Sequence, residues 1–109
     1  MTELNTKLLQ IISCFGVNNQ QRKLQEEIFE LQEAIIKQEK NAEDYKLYRC
    51  DTAYVPDRYI KDIKNEMADV LVLLKQVQLN YGIKDEDLLL NISNKTDRTI
   101  KRIKEGYYK

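Results

Sequence analysis

Two short acidic motifs in this 109-residue chain have the spacing that could build a metal site. The first has the pattern EExxE and contains Glu26, Glu27 and Glu30, and the second has the pattern ExxD and contains Glu66 and Asp69. Side chains three or four residues apart lie on one face of a helix, so each motif would present its carboxylates together. If the two helices pack antiparallel, all five acids can converge on one cleft. Carboxylate oxygens without histidine or cysteine suit a hard cation such as Mg²⁺ or Mn²⁺.

Glu66 is the most informative of these acids because of the residues around it. Apolar residues of the segment that starts near Ile60 span an arc of roughly 160° on a helical wheel, and Glu66 falls inside this arc. A carboxylate on an apolar helix face is strongly disfavoured unless it pairs with a cationic side chain or binds a metal. A salt bridge from Glu66 to a lysine or arginine of the last helix is the alternative.

The EExxE motif lies at the border of a second apolar stripe, which consists of Leu24, Ile28, Leu31 and Ile35. Glu27 falls roughly 40° beyond the edge of this stripe, and Glu30 and Glu26 follow it round the helix. Acids in this pattern are also common on helix surfaces, where Arg22 and Lys23 could be their local partners.

Composition excludes several other kinds of chemistry. The chain has no histidine, which rules out Ser-His-Asp catalysis, histidine-ligated zinc and a histidine base. Its 18 basic and 18 acidic residues give no net charge, which argues against a nucleic-acid partner. Cys14 and Cys50 form no CxxC pair, and no apolar run approaches the roughly 20 residues that span a bilayer. We therefore expect a cytoplasmic protein without a membrane partner.

The positions of apolar residues and turn formers predict a single all-α domain over residues 1–109, built as a four-helix bundle. Only three glycines and one proline are present, too few for many short strands. The expected helices run from about Thr2 to Phe15, from an N-cap at Asn18 to about Lys40, from Pro56-Asp57 to Tyr81, and from near Asp85 into the basic C-terminus. We expect a loop over Asn41–Val55, where the periodicity is lost.

These motifs and their order resemble the MazG-like family of all-α nucleoside triphosphate pyrophosphohydrolases. The similar pieces are LQEEIFEL at residues 24–31, EMADVL at residues 66–71 and NKTDR at residues 94–98, the last resembling a Lys-x-x-Arg element. The resemblance covers roughly residues 17 to 104, and it implies hydrolysis of a nucleoside triphosphate to the monophosphate and pyrophosphate.

The resemblance also implies roles for individual residues. The five acids would hold Mg²⁺ against the phosphates, and Glu27 or Glu30 would act as the catalytic base because no histidine is present. Lys95 and Arg98 would neutralise phosphate charge. The family further implies a homodimer or homotetramer, and the broad apolar arc of the third helix agrees with that expectation.

Two other functions remain open at this point. A non-catalytic helical interaction module would explain the helices, the charge balance and the broad apolar face, but it would not explain an acid at position 66. A phosphoribosyl-ATP pyrophosphatase would share both fold and chemistry. Assays for metal-dependent pyrophosphate release, with the two kinds of substrate, separate these possibilities.

Overall fold

The structure is a computed structural model that describes the backbone of residues 2–49 and 56–106 and the side chains of residues 2–41 and 56–106. The described residues form four α-helices and no strand, which confirms the all-α prediction for this part of the chain. The helices are α1 (Glu3–Phe15), α2 (Val17–Arg49), α3 (Asp57–Asn80) and α4 (Asp85–Lys104).

A single residue, Gly16, separates α1 from α2. Its φ of 87° and ψ of 146° fall in a region that is open almost only to glycine, so the first helix ends here. The Gly16 N–H donates to the Ile12 carbonyl, and the Asn19 side chain donates to the Phe15 carbonyl. The predicted N-cap at Asn18 is wrong, because α2 already begins at Val17. We call this one-residue junction the α1–α2 elbow.

The second helix is longer than its apolar stripe predicts. It continues to Arg49, so the loop predicted from Asn41 is wrong as far as residue 49, and the remainder of that predicted loop lies outside the described residues. The extension has a local cause, since residues 41–49 contain no glycine or proline and include several good helix formers. The end of an apolar stripe marks the end of burial, whereas a helix ends only where its backbone is interrupted.

The chain divides into two compact units, Met1–Val77 and Gln78–Lys109. In the first unit α1 packs against α2, and the buried apolar side chains are Leu8 of α1 and Val70 and Leu73 of α3. Gln20 and Gln76 are the buried polar side chains among the described residues. This small core brings the inner faces of α1, α2 and α3 together.

The second unit contains the end of α3, a tight turn and α4. Gly82, with a φ of 64°, lies in the turn, and the Gln78 side chain donates a hydrogen bond to Asp85 at the start of α4. Acidic residues occupy the first turn of α4 and basic residues its last turn, which matches the helix dipole. No helix in the described part of the chain is both long and apolar enough to cross a membrane.

Candidate metal centre

Three of the predicted acids lie together where α2 and α3 meet. Glu27 of α2 and Glu66 and Asp69 of α3 each offer a carboxylate oxygen, and these oxygens lie within 4.8 Å of one another. We call these three residues the acid cluster. Glu27 and Glu66 are partly buried, whereas Asp69 is exposed. The structure therefore brings one residue of the EExxE motif to both residues of the ExxD motif.

Helix geometry explains how α3 presents its two acids. Glu66, Val70 and Leu73 follow one another at spacings of four and three, and the last two are buried. Glu66 thus shares the buried face of α3, as its place in the apolar arc predicts, and Asp69 lies one turn further along. The arc is not buried throughout, since Met67, Leu71 and Leu74 are exposed.

The pKa values of two acids in the cluster are raised above their ordinary value. Burial is the largest cause for Glu27, followed by a side-chain hydrogen bond with Glu30 and the negative charges of Glu30, Asp69 and Glu66. For the pKa of Glu66, burial again comes first, followed by the charge of Glu30 and then that of Asp69. Both groups therefore favour a proton, or another cation, more than an exposed glutamate does.

Glu30 and Asp62 belong to the electrostatic surroundings of the cluster. Glu30 raises the pKa of both Glu27 and Glu66, and the Asp62 charge adds to the rise at Glu66. Asp62 was missed by the sequence analysis, although it precedes Glu66 by four residues and so shares its helix face.

Two carboxylate oxygens in the cluster have no hydrogen-bond partner among the described residues. They are Oε2 of Glu27 and Oε2 of Glu66, and both are buried. Buried polar atoms are nearly always paired, so an unpaired one calls for a specific explanation. A hard divalent cation fits this arrangement, because it takes carboxylate oxygens as ligands and neutralises their mutual repulsion.

A cleft of about 410 Å³ extends from the acid cluster between the first three helices. Glu27 and Asp69 line it, and its other lining residues on α2, Gln20 and Lys23, precede Glu27 in the sequence. Its other lining residues on α3, which include Gln76, follow Asp69. The order along α2 is thus opposite to that along α3, so the two helices run antiparallel. Ile11 and Phe15 of α1 close one side, and we call this space the α1–α3 cleft.

The other predicted site residues lie outside the acid cluster. Glu26 is exposed and lines a neighbouring surface depression together with Arg22 and Lys23, so its role as a metal ligand stays a prediction. Lys95 and Arg98 are exposed on α4, in the second unit, and their contact with phosphate also stays a prediction.

Gln76 is the main residue of the cleft that the sequence analysis missed. It lies three residues after Leu73 and seven after Asp69, in register with the buried face of α3. The sequence offers no signal for it, because a glutamine at this position is equally compatible with burial and with exposure.

Comparison with protein-family models, with curated proteins and with solved structures gave no significant match to this chain. The resemblance to the MazG-like family therefore rests on the sequence motifs and stays a prediction.

We predict that Glu66→Gln removes a pH-dependent loss of stability. Because folding raises the pKa of Glu66 above its ordinary value of 4.5, the folded state holds this proton more tightly than the unfolded state. Its stabilising contribution is full at low pH and is lost as pH rises from about 4.5 through the raised pKa. Without metal, the stability of the Gln variant relative to wild type should increase across that pH range, as measured by urea unfolding.

Metal should stabilise wild type more than it stabilises the Glu66→Gln variant. Millimolar Mg²⁺ or Mn²⁺ should raise the Tm of wild type at neutral pH and raise that of Glu66→Gln much less, because a ligand that binds only the folded state stabilises it. Glu33→Gln, at an exposed acid of α2 outside the cluster, is the matched control. A salt-bridged Glu66 gives the reverse result, with no metal response and a destabilised Gln variant.

Proposed function

We propose that this protein is a Mg²⁺-dependent nucleoside triphosphate pyrophosphohydrolase, which converts an NTP or dNTP to its monophosphate and pyrophosphate. The observation that carries the proposal is the meeting of EExxE and ExxD carboxylates within 4.8 Å, with two buried oxygens left unpartnered. The cytoplasmic location and the MazG-like bundle expected from the sequence are part of the same proposal.

The acid cluster has the donor set that this chemistry requires. Glu27, Glu66 and Asp69 would hold Mg²⁺, and their three negative charges would attract it strongly. When bound, Mg²⁺ supplies charge neutralisation for the phosphate oxygens and makes the α-phosphorus more electrophilic. Since Mg²⁺ keeps several waters and binds substrate phosphates, a cluster of three protein carboxylates leaves room for both.

We propose that the catalytic base is Glu30 or Glu27, at this cluster. Glu30 influences the pKa of both Glu27 and Glu66 but is not one of the three residues whose oxygens meet. Glu27 and Glu30 lie within hydrogen-bond reach of each other, so either could accept the proton of an attacking water beside the cluster. We assign the base to this pair, and we favour Glu30 because its carboxylate is less committed to metal binding.

Of the two alternative functions, the interaction module accounts for fewer of the observations, and the phosphoribosyl-ATP pyrophosphatase accounts for the same ones. A non-catalytic interaction module accounts for exposed apolar residues such as Phe29 and Leu89, but not for unpartnered buried carboxylates. A phosphoribosyl-ATP pyrophosphatase would use the same acids and the same metal. Its substrate must therefore be included in the assay.

The first prediction concerns the reaction itself. With Mg²⁺, the protein should release pyrophosphate and a nucleoside monophosphate from at least one triphosphate, as measured by chromatography of the products. Asp69→Asn should lower kcat/KM at least about a hundredfold. Loss of a residue that only hydrogen-bonds to a metal ligand already lowers metal affinity or activity about ten- to a hundredfold.

Asp57→Asn is the matched control for this assay, since Asp57 is an exposed acid on the same helix, twelve residues before Asp69. Release of orthophosphate and a diphosphate would contradict the proposal. So would turnover that persists in excess chelator.

A second prediction concerns phosphate contact by α4. If Lys95 contacts the triphosphate, Lys95→Ala should raise KM or lower kcat by about ten- to a hundredfold, the usual loss for a hydrogen bond to a charged group. Lys101→Ala, an exposed lysine on the same helix, should leave the steady-state kinetics unchanged. Equal kinetics in both variants and wild type would assign Lys95 to the solvated surface.

A third prediction concerns the homodimer or homotetramer that we propose. Met67, Leu71 and Leu74 form an exposed apolar stripe on α3, and burying such a stripe against another copy would stabilise both. Light scattering should give two or four times the chain mass of 13.0 kDa. Leu71→Lys should shift the protein toward monomer, and a monomeric wild type at micromolar concentration would refute the assembly.

A further inference from the structure

Gln76 is a buried amide with an unused acceptor. Its side chain is only 3% exposed, and its Oε1 has no hydrogen-bond partner among the described residues. The residue also lines the α1–α3 cleft together with Glu27 and Asp69. A buried carbonyl oxygen without a partner is unfavourable, so a ligand group that donates an N–H or O–H hydrogen bond would relieve this cost.

The distance from the acid cluster shows that Gln76 serves a different part of a ligand. It follows Asp69 by seven residues, which is roughly 10 Å along a helix. This is too far for both side chains to bind one metal ion. It is a suitable separation for a molecule whose phosphate lies at the acid cluster and whose other end reaches into the cleft.

The walls of the cleft favour a flat heteroaromatic group at that other end. Ile11, Phe15, Val72 and Leu73 supply apolar surface, and Phe15 is an aromatic ring that is more than half exposed, on which a base could stack. A volume of about 410 Å³ lies within the range of small-molecule sites, roughly 300 to 1,000 Å³. Gln20, Lys23 and Gln76 add polar groups beside this apolar surface, so the cleft can hold a ring by contact and orient it by hydrogen bonds.

We propose that the α1–α3 cleft binds the nucleobase of the substrate, and that Gln76 determines specificity by accepting a hydrogen bond from an N–H on the edge of the base. The proposal rests on the proposed function, because it takes the ligand to be a nucleotide. Gln76 contacts the base and not the reacting atoms, so it contributes to substrate binding and selection rather than to the chemical step.

The test measures binding rather than turnover. Isothermal titration calorimetry with Mg²⁺ compares the four common deoxynucleoside monophosphates with deoxyribose 5-phosphate, which has no base. In Gln76→Leu, affinity for the best-bound monophosphate should fall about tenfold or more, while affinity for deoxyribose 5-phosphate stays unchanged. Gln10→Leu, at an exposed glutamine of α1, is the matched control and should bind all five ligands as wild type does.

An analogue of the best-bound base identifies the donor group. When the N–H groups on its edge are replaced by hydrogen or methyl, wild type should lose the same factor in affinity, and Gln76→Leu should lose nothing further. Three results would overturn the proposal: equal weakening of all five ligands by Gln76→Leu, no change in the affinity for any monophosphate, or no monophosphate binding to wild type at millimolar concentration.

Thermal stability separates a binding role from a structural one. Removing an unpartnered buried carbonyl should leave the Tm of Gln76→Leu unchanged or higher, and Gln76→Met provides a second variant with an unbranched side chain. A lower Tm in both variants would make Gln76 a structural residue and overturn the proposal.

Triphosphate hydrolysis by the same proteins distinguishes the two proposals. If wild type does not hydrolyse triphosphates but the calorimetric pattern holds, the base site stands and the proposed function fails. If hydrolysis occurs without that pattern, the proposed function stands and the base site fails.

Discussion

Repulsion among three carboxylates is the constraint that packing in the first unit must accommodate. Glu27, Glu66 and Asp69 bring oxygens within 4.8 Å of one another, and two of these residues lie in a partly dry environment. Packing of α1, α2 and α3 must hold these charges together, yet among the residues that the structure describes the buried apolar side chains are only Leu8, Val70 and Leu73. The burial of so few apolar side chains offsets the repulsion among like charges only in part. The cation binding that we propose would offset this repulsion.

The sequence predicts the helices and the place of Glu66 on the buried face of α3 because both depend on local spacing. Four helices in the expected order follow from apolar periodicity and from the scarcity of glycine and proline, and the placement of Glu66 follows from the wheel of α3. Boundaries depend on more than periodicity, so the predicted end near Lys40 is wrong: the apolar stripe stops there while helix-forming residues continue. The start of α2 is likewise set by the backbone of Gly16 rather than by a capping side chain.

The sequence does not predict the α1–α3 cleft, because its walls come from three helices whose rotation about their axes depends on tertiary packing. Gln76 illustrates this limit, since an amide among leucines and valines is equally compatible with a buried and with an exposed position. The exposure of Met67 and Leu71 has the same origin. A neighbouring helix covers only part of an apolar arc as wide as roughly 160°, so some residues of the arc remain exposed. Local sequence thus determines which residues share a face, and packing determines which of those faces becomes a cavity.

The α1–α2 elbow has a consequence for how this chain can vary. Phe15 and Gln20, on opposite sides of Gly16, both line the cleft. Because Gly16 is the whole of this junction, an extra residue there would change how α2 leaves α1 and would move Phe15 relative to Gln20. The length of the elbow is therefore fixed by geometry, and the shape of the cleft can diverge through substitutions on the inner face of α1. If the cleft binds the base as we propose, single side-chain replacements there would change ligand preference. The acids and the chain length around the elbow would stay constant.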